Sequence, residues 1–212
     1  MAHIAEIGSR IELVSMDKYF QDISLGLYEQ EAADGVAEYV VLSYAHMPGA
    51  AERVQFVMQA MQILGNMEAT PDGRLRFACG DAHHTACKRL FIAASKVTPD
   101  AEPAALPLRI HDRKSECDYS VTSLGGGHYR ITAEGESETA PRRVRAIAGG
   151  LRKLGDMTET GNDDEAAFAC GASHDALTGL LLVRAPNVRA VMREEDAAAK
   201  QGVLAAPSAQ NS

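Results

Sequence analysis

The sequence predicts an α+β fold, built from two tandem ββαβα units packed as one pseudo-twofold-symmetric globule with a disordered C-terminal tail. Three observations lead there. The heptapeptide Phe-Ala-Cys-Gly-x-x-His occurs at residues 77–83 and again at 168–174. Flanking matches keep the same order: Arg53-Val54 falls on Arg143-Val144, and Leu64-Gly65-Asn66-Met67 on Leu154-Gly155-Asp156-Met157, both at an offset of 90. Finally, each half passes from strand-like to helix-like periodicity in the same sequence, which is how a copied supersecondary unit reads.

In the first half, residues 19–29 and 37–44 are rich in β-branched and aromatic side chains and flank the turn-forming Ala33-Asp34-Gly35, so they form a hairpin. In the second, residues 118–123 and 128–133 flank Gly125-Gly126-Gly127. Residues 10–15 and 106–111 add an earlier strand to each unit. A helix follows each hairpin. Pro48 and Pro141 suit a first helical turn, where a missing N–H loses no hydrogen bond. Val144, Ile147, Ala148, Leu151 and Leu154 make one apolar stripe at helical spacing. The first-half helix, over 50–67, is apolar nearly all round and calls for cover on more than one side, from the other repeat or a second subunit. A short strand (74–78 or 166–169) and a second helix (from 81 to about 95, or 172 to about 185) complete each unit, with Asp81 and Ser173 as N-caps or first-turn residues.

These elements divide the chain into a first repeat over 1–98, a linker over 99–107, a second repeat over 108–192 and a tail over 193–212. The tail is rich in Ala, Glu, Gln and Ser, without an apolar anchor beyond Leu204.

The 212 residues carry a formal charge of −8, which disfavours nucleic acid and anionic membranes as partners. No apolar run is long enough to span a bilayer, and no export signal is legible at the N-terminus. The cytoplasm is therefore the expected location, and Cys79, Cys87, Cys117 and Cys170 are expected as thiols or ligands rather than disulfides.

For the repeated motif, packing is the simplest reading. Cysteine is among the most buried residue types, and duplication copies packing constraints as faithfully as chemical ones. The chemical reading starts from position: a cysteine at a strand end and a histidine four residues on supply two borderline ligands. If the turns meet, Cys79, His83, Cys170 and His174 make a Cys2His2 set suited to zinc. A thiol nucleophile is the third reading. Ser173-His174-Asp175 is no triad, because helical neighbours point in different directions. The glycines at 125–127 lead into a strand, hence a hairpin turn and not a phosphate cradle.

Arg142, Arg143 and Arg145, with Arg152 and Lys153, form a basic stretch read mainly as a solvated face or one neutralised by Glu134, Glu136 and Glu138, with ligand binding as the alternative. Met58 and Met61 are read mainly as core, with a partner surface as the alternative. The function expected is a non-catalytic binding or assembly protein that holds a partner, a second copy or a small ligand at the repeat interface. The alternatives are a protein binding zinc or iron, or a thiol-dependent enzyme.

Overall fold

The structure is a computed structural model and describes residues 11–16, 25–43, 48–96, 102–113, 116–135 and 137–187. The expected disordered tail and the start of the first expected hairpin strand lie outside the described residues.

The architecture is α+β: two antiparallel sheets and, among the described residues, four α-helices. The first half holds β1 (Ile11–Met16), β2 (Leu25–Glu31), β3 (Ala37–Ser43), α1 (Ala50–Gly65), β4 (Met67–Ala69), β5 (Leu75–Phe77) and α2 (His84–Ala94). Its sheet runs in the order β1-β2-β3-β5-β4. The second half holds β6 (Leu108–Asp112), β7 (Cys117–Gly125), β8 (His128–Glu134), α3 (Ala140–Gly155), β9 (Glu165–Ala167) and α4 (Asp175–Leu182), with a sheet ordered β6-β7-β8-β9.

Both expected hairpins form. The β2–β3 turn closes as the Asp34 carboxylate accepts the Val36 N–H (3.1 Å), with Gly35 at φ +81°. In β7 the inward Cys117, Tyr119 and Val121 are buried, while Asp118, Ser120 and Thr122 between them are only half-buried, the period of a half-solvated sheet. The triple-glycine turn does more than reverse the chain. Gly127 sits at φ +71°, and a Cβ there would lie 2.6 Å from the Ala172 carbonyl oxygen, so this turn presses directly on the loop after Cys170.

One expectation is met in part and two are corrected. Helix α1 does take cover from its own sheet, from α2 and from α4 of the other half, but its outer side stays open: Val57, Ala60, Met61 and Leu64 are buried, whereas Ile63 is 50% exposed. The helix ends where Asn66 turns left-handed (φ 50°) and donates its N–H to the Gln62 carbonyl. That reversal sends Met67 into β4, a strand the periodicity conceals in three residues. The second helices start later than expected. Their N-caps are His83 and His174, neither making a side-chain cap bond, and Asp81 and Ser173 lie in the loops before them.

Helices α1 and α2 pack together, as do α3 and α4, and α1 touches α4 while α2 touches both α3 and α4. The halves therefore share one buried apolar cluster. A polar tie joins them too: the Thr85 N–H in the first turn of α2 donates to the carboxylate of Asp156, at the end of α3 (2.8 Å).

Candidate metal centre

Each Cys-x-x-x-His segment is a loop between strand and helix, so its glycine decides where cysteine and histidine point. Gly80 (φ +80°) and Gly171 (φ +70°) adopt the left-handed backbone that side chains with a Cβ resist. The loop then folds back so that Cys79 Sγ lies 3.3 Å from His83 Nε2, and Cys170 Sγ 3.3 Å from His174 Nε2. The two loops also meet. One ligand atom from each of Cys79, His83, Cys170 and His174 falls in a cluster whose members all lie within 4.8 Å of one another.

Zinc–sulfur and zinc–nitrogen bonds of about 2.3 and 2.05 Å at tetrahedral angles put sulfur about 3.6 Å from nitrogen and about 3.8 Å from the other sulfur. The two sulfur–nitrogen separations of 3.3 Å and the 4.8 Å limit on the others are compatible with a single-ion site.

The surroundings are apolar and aromatic. Phe77 and Phe168, each ending or following its strand, stand edge-on to the imidazoles: Phe77 to His83 and His174 (ring centroids 4.9 and 5.6 Å apart), Phe168 to His83 and His174 (5.2 and 4.7 Å). Both histidines are buried, and Cys79 and Cys170 are half-buried. Burial pushes the Cys79 thiol up to about 11, helped by neighbouring Cys170. It lowers His174 to about 4, helped by neighbouring His83, and it lowers His83 as well. Around neutral pH the imidazoles thus offer lone pairs while Cys79 keeps its proton. Two thiolates and two neutral imidazoles would balance a divalent cation exactly in charge, which suits a site with little water.

Two residues the motif does not contain complete the framework. The Tyr39 hydroxyl on β3 accepts the His83 backbone N–H (3.0 Å), and the Tyr129 hydroxyl on β8 accepts that of His174 (2.7 Å). Both tyrosines are fully buried. A signal for them exists in the sequence, because Tyr39 and Tyr129 stand at the same offset of 90 as the matched helices.

The other candidates lie elsewhere. Cys87 is fully buried, with its thiol pushed up by burial, and is not in the cluster. Ser173 Oγ donates to Asp175 (2.6 Å) while His174 Nε2 turns to Cys170, so no serine–histidine relay forms. Met61 is fully buried, and Met58 is half-buried against the core. The basic stretch is divided. Arg143 grips the buried Asp112 carboxylate (2.5 and 3.2 Å) and the Pro186 carbonyl (2.8 Å), and Arg152 donates to the Glu165 carbonyl (2.9 Å). Arg142 and Arg145 are exposed, and Arg145 lines an open groove of about 890 Å³ together with Glu138, Asp163 and Asp164. Glu134 pairs with Arg109 instead of the helix (2.5 Å).

Compared with known proteins, the chain matches no family model, no curated protein and no solved structure. No helix among the described residues is long and apolar enough to cross a membrane.

Proposed function

We propose that this is a zinc-binding protein in which Cys79, His83, Cys170 and His174 hold one ion that staples the two halves of the chain together. The observation that carries this reading is the convergence of four ligand atoms, two from each half, within 4.8 Å. Tetrahedral S2N2 geometry selects zinc among common divalent ions, whereas oxygen-rich sites suit magnesium or calcium. Ligand atoms this close together suit a mononuclear site.

The ion's role is structural. Four protein ligands complete the tetrahedron and leave no open position for a substrate or activated water. Cys79 does not suit a thiol nucleophile, which needs a depressed pKa, because burial raises this one. The protein is then a non-catalytic assembly module whose stability depends on metal.

On this reading the chain is two tandem copies of a ββαβα unit, over 1–98 and 108–192 with a joining segment over 99–107, each copy preceded by one further strand (β1 or β6) and supplying one cysteine and one histidine. Four correspondences support the duplication: the repeated heptapeptide, the left-handed helix ends at Asn66 and Asp156, the paired tyrosines, and the N-cap histidines with φ of −126° and −128°.

The test is metal analysis of the purified full chain after incubation with zinc at neutral pH and removal of excess. One zinc per chain is expected, lost in the Cys79→Ser/Cys170→Ser double variant. A folded wild-type chain that retains no metal would overturn the reading.

A further inference from the structure

We propose that Tyr39 and Tyr129 are positioning residues for the metal centre, each aiming one ligand histidine through a hydrogen bond to that histidine's own backbone. The inference rests on the zinc-site reading and names the residues that set its affinity.

The argument begins at the helix ends. An N-cap residue stands outside the helical hydrogen-bond ladder, so its N–H needs a partner from elsewhere when buried. At His83 and His174 that partner is a tyrosine hydroxyl from the hairpin strand of the same half, at 3.0 and 2.7 Å. The strand register fixes each hydroxyl's origin: Tyr39 pairs with Leu75 of β5, and Tyr129 with Ala166 of β9, the short strands leading to the ligand cysteines. Each tyrosine thus ties the strand before the cysteine to the backbone of the histidine after it, spanning the loop whose shape decides the Cys–His separation.

The hydroxyls are themselves held. Tyr129 donates to the Asp175 carboxylate (3.0 Å), while the Tyr39 hydroxyl interacts with the Glu29 carboxylate. Both halves therefore carry the same chain of contacts, carboxylate to phenol to histidine N–H. The carboxylates come from unrelated places, a strand in one half and the first helical residue in the other. General packing does not require a phenol in the same role twice with different supporting acids. Orientation of a ligand does, because a tetrahedral ion rewards small errors in ligand direction poorly, and groups that orient ligands typically contribute 10–100-fold in metal affinity.

The experiment uses the full chain as wild type, Tyr39→Phe, Tyr129→Phe and, as a control, Tyr119→Phe, a buried tyrosine of β7 outside the cluster. Zinc affinity is measured by competition with a chromophoric chelator, and ligand geometry by the visible absorption of the cobalt(II)-loaded chain. Each site-tyrosine variant is expected to lose about 10–100-fold in zinc affinity and to shift the cobalt bands, whereas Tyr119→Phe leaves both unchanged even if it melts lower. Wild-type affinity and spectrum in both site-tyrosine variants would overturn the proposal while leaving the metal reading intact. A wild-type chain that binds neither ion overturns both. Should Tyr129→Phe not fold, Asp175→Asn carries the same readout: a several-fold loss of affinity supports the proposal, and none overturns it.

Discussion

The imidazole of His83 stands edge-on to that of His174, with ring centroids 4.7 Å apart, although the two belong to opposite halves of the chain. Two buried imidazoles so close cannot both charge without repelling. After burial, that relationship is the next cause of the pH behaviour expected of the metal-free protein. His174 has its pKa lowered from 6.5 to about 4 by burial and then by His83. Above pH 6.5 the folded and unfolded states are both neutral at this residue, so it adds no pH dependence. Between about 6.5 and 4 the unfolded chain takes up a proton that the folded chain refuses, and stability falls with acid. The melting temperature of the chelator-treated chain should therefore decline through that window, and His174→Gln should flatten the decline. An unaltered profile in the variant would show the dependence to arise elsewhere.

Metal binding should depend on pH in the same sense, through the sulfurs. Cys79 holds its proton up to about 11, and zinc takes thiolate. Loading must therefore expel at least that proton. Apparent zinc affinity should rise about tenfold or more per pH unit between pH 6 and 8. Isothermal titration in buffers of different ionisation enthalpy counts the released protons directly, and a count of zero contradicts thiolate ligation by Cys79.

Because the ligands come from both halves, zinc should stabilise the whole fold. At free zinc 100-fold above Kd, mass action contributes about 2.7 kcal/mol. For a chain of this size that raises the melting temperature by roughly 5–10 °C. Calorimetry with and without zinc reads the shift, which should vanish in the Cys79→Ser/Cys170→Ser variant.

The glycine turn offers a comparison of neighbours. A Cβ at Gly127 meets the Ala172 carbonyl oxygen at 2.6 Å, whereas one at Gly126 comes no closer than 3.8 Å, to the Gly171 carbonyl oxygen. Both have positive φ and share that strain. Gly127→Ala should therefore destabilise by about 1–3 kcal/mol more than Gly126→Ala in urea unfolding and weaken zinc binding by displacing the Cys170 loop. Equal effects would mean that the turn and the loop do not bear on each other.

Within the basic stretch, Arg143 should behave unlike its neighbours. Arg143→Ala removes the guanidinium that grips the buried Asp112 carboxylate, which should cost about 1.5–3 kcal/mol. Arg142→Ala and Arg145→Ala, at exposed positions, should stay within about 0.5 kcal/mol of wild type. Urea unfolding of the three variants orders them.

Much of the fold was legible along the chain. Strands of the β2–β3 and β7–β8 hairpins announce themselves by β-branched and aromatic runs around Asp34-Gly35 and the three glycines. Helix α3 shows its stripe from Val144 to Leu154. What escaped notice was short or left-handed: β4 has only three residues, and the exact helix starts at His84 and Asp175 depend on loop geometry set by Gly80 and Gly171. Tyr39 and Tyr129 escaped because a buried tyrosine in a strand reads as packing, and its hydroxyl's partner lies 44 or 45 residues away.

The sequence by itself determined the order of elements, the four candidate ligand residue types and their spacing within each half, since local periodicity and turn chemistry act over a few residues. Whether Cys79 and Cys170 would meet was decided only by tertiary structure. Nothing local relates the two loops. Their approach follows from the packing of α2 against α3 and α4 and from rings interleaved across the interface, contacts between residues far apart in the sequence.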